Sequence, residues 1–491
     1  MSSDKRRRKP VNTAPKSAKR FQVPRACQRC KSLRRGCEER RPCSRCVRAG
    51  AADDCVQAGP SHLDPSQTPS SPSGPEWAQV AAVAASPALV AECAALFFEH
   101  CFPTIPILTP EYISRLQRNA AADSGPPEAS VLLAALCAYV LLHVDEPPSV
   151  LPRRDSHYGT WLLDRASAAY RASCWHLPPS LDTCLLSFFL YAGQTRLSRH
   201  TQTLLFLRQA TALWDLAKDR RPPAGTDTDT DTDTDTDTEQ RTLLDRLFWV
   251  LLASERSHAI RYGRSITLHV TPDAPGLDAH RDSSPGLWSL AALFRPIDSA
   301  FMAVVNREAA PSSSASPAML DAAERSVNAA VPARFPFRDV QKANLRITQL
   351  WLRIVIWQLR LRLGQLTDVS HRRSLAYRYP LDVARELVLS TRDLATRAMA
   401  VHGVGLTEKL FDIASAVVDV MAGIPQAPRQ PHTGVEGPPE DDLAYIRGLV
   451  VRLPGGKDVY DGLLERHLEQ ALQSPLQSQA VPSQGLDESP R

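Results

Sequence analysis

Six cysteines fall between Cys27 and Cys55 in the order C-x2-C-x6-C-x5-C-x2-C-x8-C. So short a segment has almost no apolar side chains from which to build a core, so its order has to come from the sulfurs. The chain opens Met1-Ser-Ser-Asp and passes into a basic run with no apolar segment behind it, so no secretory signal is expected. A secreted disulfide scaffold is also excluded by the size of a 491-residue chain. In an intracellular setting, a dense cysteine cluster binds metal more readily than it forms disulfides. The C-x2-C pairs at Cys27/Cys30 and Cys43/Cys46 each put two sulfurs on one turn, which is chelate spacing. No histidine occurs before His62, so finger types that need histidine are unavailable.

Ligand arithmetic then favours two metals. Zinc takes four tetrahedral ligands, and two zinc ions need eight ligand positions. Six thiolates fill eight positions when two sulfurs bridge, whereas one four-thiolate site leaves two thiols idle. The expectation is two Zn²⁺ held by Cys27, Cys30, Cys37, Cys43, Cys46 and Cys55. The other five cysteines, Cys93, Cys101, Cys137, Cys174 and Cys184, lie in apolar stretches, where a thiol behaves as a small hydrophobe.

Charge divides the chain at the same place. Residues 1–60 carry 17 Lys/Arg against 5 Asp/Glu, a net of +12, and the rest of the chain carries −7. A basic head of this kind points to a polyanion, with nucleic acid and an anionic membrane as candidates. No apolar helical face accompanies the basic charges, so the membrane is the weaker of the two. The longest uncharged apolar stretch, Val131 to Val144, is also short of the roughly 20 residues a spanning helix needs.

The run Ala26-Cys-Gln-Arg-Cys-Lys-Ser-Leu-Arg-Arg-Gly-Cys37, then Arg41-Pro-Cys-Ser-Arg-Cys46, Gly50 and Cys55, resembles the fungal binuclear zinc cluster (Zn2Cys6) DNA-binding domain over about residues 26–56. The resemblance implies two short helices wrapped about two metals. It also implies that Cys27 and Cys43 bridge, that Cys30 and Cys37 complete one zinc, and that Cys46 and Cys55 complete the other. Pro42 stands at the family's loop between the halves. Dimers are common in such a family, but Trp77 to Phe102 is alanine-rich, interrupted by Pro87 and without sustained heptads. A homodimer through a coiled coil there is not expected, though a homodimer by other means stays open.

Lys31, Arg34 and Arg35 are spaced i, i+3, i+4, so a helix starting near Cys27 puts them on one face. Such a face suits the major groove of duplex DNA, where arginine forks onto guanine O6 and N7. Arg34 falls where the family's base-reading lysine stands, and a GC-rich triplet resembling the family's CGG is expected. Arg25, Arg41, Arg45 and Arg48 are expected on phosphates, which fix register rather than read sequence. Residues 1–25 read as a disordered basic arm in which Lys5, Arg6, Arg7, Arg8 and Lys9 form a nuclear import signal. Residues 57–76 read as a flexible Pro/Ser linker.

Residues 77–425 read as a large all-α domain, so the fold class is mostly α: a small Zn2Cys6 head, the linker and the helical regulatory body. Strong helical segments include Ala88–Phe102, Val131–Val144, Leu181–Ala192, Thr203–Ala217, Thr242–Arg261, Asp339–Leu366, Leu381–Val401 and Thr407–Ala422. Asp339–Leu366 is apolar nearly all round, as a central buried helix would be. Phe97-Phe-Glu-His-Cys-Phe-Pro-Thr-Ile-Pro-Ile-Leu108, Leu185–Tyr191, Leu204–Ala210 and Phe248–Arg256 through Leu268 resemble, in order, the fungal transcription-factor middle homology region. The Thr-Asp repeat at 226–239 is polar on both faces and is expected as a disordered insertion, either a simple repeat expansion or an acidic activation element. Residues 426–491 are expected to be partly disordered, with helical character near Val459–Leu472.

No P-loop, G-x-G-x-x-G, H-E-x-x-H or G-x-S-x-G occurs, so no enzyme is expected. His100, His176 and His258 read as core or cap residues, and Glu255-Arg256 as a buried or interface ion pair. The function expected is a nuclear, sequence-specific transcription factor, an activator of a secondary-metabolite gene cluster that works with the transcription machinery. Control of carbohydrate or other nutrient-utilisation genes is the alternative, and a zinc-dependent protein scaffold without DNA readout is the alternative of a different class.

Overall fold

The computed structural model describes residues 30, 42–50 and 55 of the head and, in the body, residues 86–473 except 123–126, 147, 152–156, 174–176, 220–230, 309–316, 333–335, 368–370 and 424–437. The chain divides into two compact units, Met1–Ser71 and Pro72–Arg491. Among the described residues every regular element is a helix and there is no strand.

The described residues of the head include a short helix, α1 (Ser44–Arg48), which stops where Gly50 turns into the left-handed region at φ 64°. In the body, α2 (Pro87–Leu96) runs into a π-helical turn (Phe97–Cys101) and is followed by α3 (Pro110–Ala121). Next come α4 (Pro127–His143), α5 (Tyr158–Ser173), α6 (Leu181–Arg196), α7 (His200–Asp219) and the long α8 (Asp231–Tyr262). The shorter α9 (Pro285–Phe294), α10 (Ser299–Val305) and α11 (Pro317–Ala329) lead to α12 (Asp339–Arg362). Then follow α13 (Tyr379–Thr391), α14 (Thr396–Ala400), α15 (Val404–Gly423) and α16 (Pro439–Arg452). A second π-helical turn (Gly456–Tyr460) joins α16 to α17 (Asp461–Gln473).

The prolines of the body explain several helix starts. Six of these helices begin on proline, whose fixed φ and missing N–H suit the first turn. Side chains also cap helix starts: Thr109 Oγ1 accepts from the Tyr112 N–H at α3, ahead of its Pro110, and Ser180 forms a capping box with Thr183 at α6.

The packing has two lobes that share a core. α4 packs on α5 and α6, and α6 packs along α7. α15 gathers α12, α13, α16 and α17 around it, while α8 and α9 bridge to the first lobe. α12 is buried on nearly every side, including Leu345, Ile347, Leu350, Trp351, Ile354, Val355, Trp357 and Leu359, as its sequence pattern requires. Its buried guanidinium Arg360 is neutralised by Asp321 and Glu324 of α11, which also hold Arg372.

The structure departs from the sequence reading in four places. The described part of the Thr-Asp repeat, 231–239, is the opening of α8 and not an unstructured insertion. Propagating an already nucleated helix is cheap, anionic residues favour a helix N-terminus, and Glu239 is held by Arg115 and Thr109. Residues 226–230 lie outside the described residues. The boundary at 425 is also crossed: Leu443, Ile446, Leu449 and Val450 of α16 and Leu464 of α17 lie in the same core as α15. Leu381–Val401 is two helices, separated after Thr391, whose hydroxyl donates back to the Leu387 carbonyl. Finally, Glu255 and Arg256 do not pair with each other. Glu255 takes Arg208 and the N–H groups of Thr267 and Leu268, while Arg256 Nε donates to the Ile297 carbonyl. Adjacent helical positions point about 100° apart, which sends the two charges to different neighbours.

Candidate metal centre and nucleic-acid interface

Four of the six head cysteines are described, and they converge. Cys30, Cys43, Cys46 and Cys55 are all buried and form a cluster of their own. The sulfurs of Cys30, Cys43 and Cys46 lie within 4.8 Å of one another. Cys30 Sγ and Cys43 Sγ are 3.8 Å apart, close to the edge of a tetrahedron whose centre lies about 2.3 Å from each sulfur. Cys55 Sγ accepts from the Cys43 N–H at 3.2 Å, so it reaches the same point from across the loop.

Local structure explains the convergence. Cys43 is the N-cap of α1 and Cys46 lies one turn on, so one helical start presents both sulfurs. The Cys46 N–H, together with the neighbouring thiols, brings the Cys43 thiol down to about 6, against the opposing effect of burial. A thiol that ionises this readily is already in the form a metal takes. Cys43 interacts with Cys46, Cys55 and Cys30 at once, which is the position a shared sulfur would hold.

These residues fit zinc: several thiols, buried, close to tetrahedral spacing, and forming the buried cluster of the head's described residues. When bound, zinc supplies the cross-links that stand in for an apolar core. The protein's own contribution is to gather the sulfurs with a helix start and a glycine-ended turn, and to turn its cations outward. Arg45 and Arg48 are exposed on α1, Arg48 also donating to the Ser44 carbonyl at 3.3 Å, and Pro42 is exposed before Cys43. Two exposed cations on a helix beside a metal core suit phosphate oxygens.

Cys27, Cys37, Lys31, Arg34, Arg35, Arg25 and Arg41 lie outside the described residues, as do Lys5, Arg6, Arg7, Arg8 and Lys9 of the arm. His176 and the linker lie outside as well. In the body, His100 sits 3.6 Å from Glu146, and the His258 ring packs against Tyr262 at 4.5 Å with the planes tilted by 40°. Sequence reasoning missed a feature of the body instead: a cavity whose lining comes from helices far apart in the chain.

The fold and site define a class of protein: a thiolate-built head joined to a separate all-helical body. Residues 25–62 match the family model described as the fungal Zn(2)-Cys(6) binuclear cluster domain, and the head is a domain of that family, which binds two zinc ions. The family is one of DNA-binding transcription factors. Over 254 residues the chain is 21% identical to a Candida albicans protein named "Probable sucrose utilization protein SUC1", covering 50% of this chain and 48% of that protein. The chain thus spans about half the length of the curated relative it matches.

Proposed function

We propose that this chain is a nuclear, sequence-specific DNA-binding transcription factor of the fungal zinc-cluster type, with Cys27 and Cys43 as bridging ligands and no enzymatic role. The observation that carries this reading is the buried thiol cluster around Cys43, set in a segment of net charge +12. A zinc module used only for protein contacts has no need of such charge, and counterion release makes it productive on a phosphate backbone. Lys31, Arg34 and Arg35 form the base-reading face for a GC-rich triplet, while Arg25, Arg41, Arg45 and Arg48 grip phosphates. The helical body is the regulatory part that engages the transcription machinery.

For the genes under control, an activator of a secondary-metabolite cluster is the reading taken from the sequence. The relative named for sucrose utilization favours a second reading, control of carbohydrate-utilisation genes.

The test is fluorescence anisotropy of the full-length, zinc-loaded chain with a CGG-containing duplex and a scrambled duplex, at several salt concentrations. The CGG duplex should bind more tightly, and the affinity for both should fall steeply with salt. Equal affinity for every duplex, or no binding at low salt, refutes base-specific readout. Chromatin mapping of bound sites then separates the two pathway readings.

A further inference from the structure

The body holds a cavity of about 190 Å³ at the junction of its two lobes. Its walls come from the π-helical turn after α2 and from α4, α6, α8, α9, α12 and α15. Much of the lining is apolar, with Phe188, Val250, Leu290, Phe294 and Leu406 among the contributors. Polar groups stand in the same walls: Thr195, Ser257, Asn344 and Lys409.

Lys409 is the group that calls for an explanation. It is 8% exposed, yet no described carboxylate lies within 4 Å of its ammonium. Among the described residues its hydrogen-bond partner is Thr348 Oγ1 at 2.9 Å, and Thr348 in turn donates to Asn344 Oδ1 at 3.3 Å. The remaining contacts are the faces of Phe294 and Trp351, whose centroids lie 5.8 and 5.4 Å from Nζ. The preceding carboxylate, Glu408, is taken by Tyr262, Tyr460 and Arg261. Burial draws the Lys409 ammonium down to about 8, with Glu408 opposing. An ammonium has three donors, and a buried charge with one hydroxyl partner is costly unless an anion joins it. The neighbouring histidines bring no competing charge: burial holds His143 at about 3 and His402 at about 4, so both imidazoles are neutral near pH 7.

We propose that this cavity binds a small organic acid, a monocarboxylate of about six to ten non-hydrogen atoms, given that a cavity of about 150 Å³ takes up benzene. The carboxylate pairs with Lys409 and accepts from Asn344, and the apolar part fills the space between Phe188, Leu290 and Phe294. The site lies in the body, so it does not depend on how the head reads DNA, and it gives the helical part a means of sensing a metabolite.

The experiment is calorimetric titration of the full-length, zinc-loaded chain with hexanoate, benzoate and phenylacetate, each beside its neutral amide. At least one acid should bind saturably and about tenfold more tightly than its amide, because a charge-assisted pair replaces a neutral one. Lys409→Met should abolish that preference while leaving amide binding in place, with circular dichroism confirming the fold. Ala192→Leu, which adds bulk to the cavity wall and leaves Lys409 intact, should remove both acid and amide binding. The proposal is overturned if no acid binds the unmodified chain, if acid and amide bind alike, or if Lys409→Met leaves the preference unchanged.

Discussion

At the scale of single residues, Cys43 and His143 show opposite uses of a buried titratable group. Cys43 stands where the other described thiols meet, so removing it takes away the sulfur that both halves of the cluster would share. Cys43→Ala should lower bound zinc from two ions per chain to one or none by metal analysis, and duplex binding should go with it, because folding and metal binding are linked in such domains. The melting of the helical body should not move. Retention of both zinc ions would show that Cys43 does not bridge. His143 is buried with Nδ1 2.8 Å from the Tyr139 carbonyl, and burial, with smaller contributions from Arg196 and His402, pulls it down to about 3. An unfolded histidine titrates near 6.5, so below that pH the unfolded chain gains a proton that the folded chain refuses. This contribution is full above pH 6.5 and is lost as pH falls toward 3, amounting to about 2 kcal/mol between pH 7 and pH 5. Urea unfolding at those two pH values should show the loss in the native chain and a smaller one in His143→Gln.

At the scale of elements, the C-terminal helices test whether the body ends at α15 or includes α16 and α17. Gly455 carries φ 72°, and a Cβ on Gly456 would fall 1.7 Å from the Val450 carbonyl oxygen. Gly456→Ala must therefore push the second π-helical turn off α16, at about 3 kcal/mol by analogy with overpacked cores. Gly462→Ala, on the open side of α17 with only the Arg466 guanidinium nearby, should be neutral or slightly stabilising. Urea midpoints compare the two directly, and equal effects would mean that α17 is not seated on the core. The sequence hid this attachment because 424–437 is rich in Pro and Gly and reads as a linker. By contrast α12 was legible, since apolar residues such as Trp351, Ile354 and Trp357 cover most of its circumference and only a narrow stripe through Arg346, Gln349 and Arg353 is polar. The thiol cluster was legible for a different reason: metal chemistry demands its spacing, and Cys30, Cys43, Cys46 and Cys55 all lie within one short stretch of sequence. The cavity was not, because Thr195, Asn344 and Lys409 are near only after the helices pack. The partner of Glu255 was hidden likewise, since Arg208 lies 47 residues away.

At the scale of the whole molecule, the charge division makes a prediction that no single interaction makes. The chain averages +5, but residues 1–60 hold +12 and the remainder −7. The arm before residue 26 contributes nine Lys/Arg and one acidic residue to that head, with no cysteine and no helical spacing from which to read bases. Charges of that kind bind phosphates without regard to sequence. Deleting residues 2–20, which leaves Arg25 and the cluster intact, should therefore weaken binding to the CGG duplex and to the scrambled duplex by the same factor. The plot of log affinity against log salt should become shallower by about 1 for each phosphate that the arm no longer neutralises. The ratio between the two duplexes should hold if Lys31, Arg34 and Arg35 form the reading face proposed above. Replacing those three by glutamine should do the reverse, cutting the ratio while scrambled-duplex binding falls less. Should the arm deletion instead lower the ratio, bases are being read from outside the cluster, as minor-groove arms do, and the division between a gripping arm and a reading face would have to be redrawn.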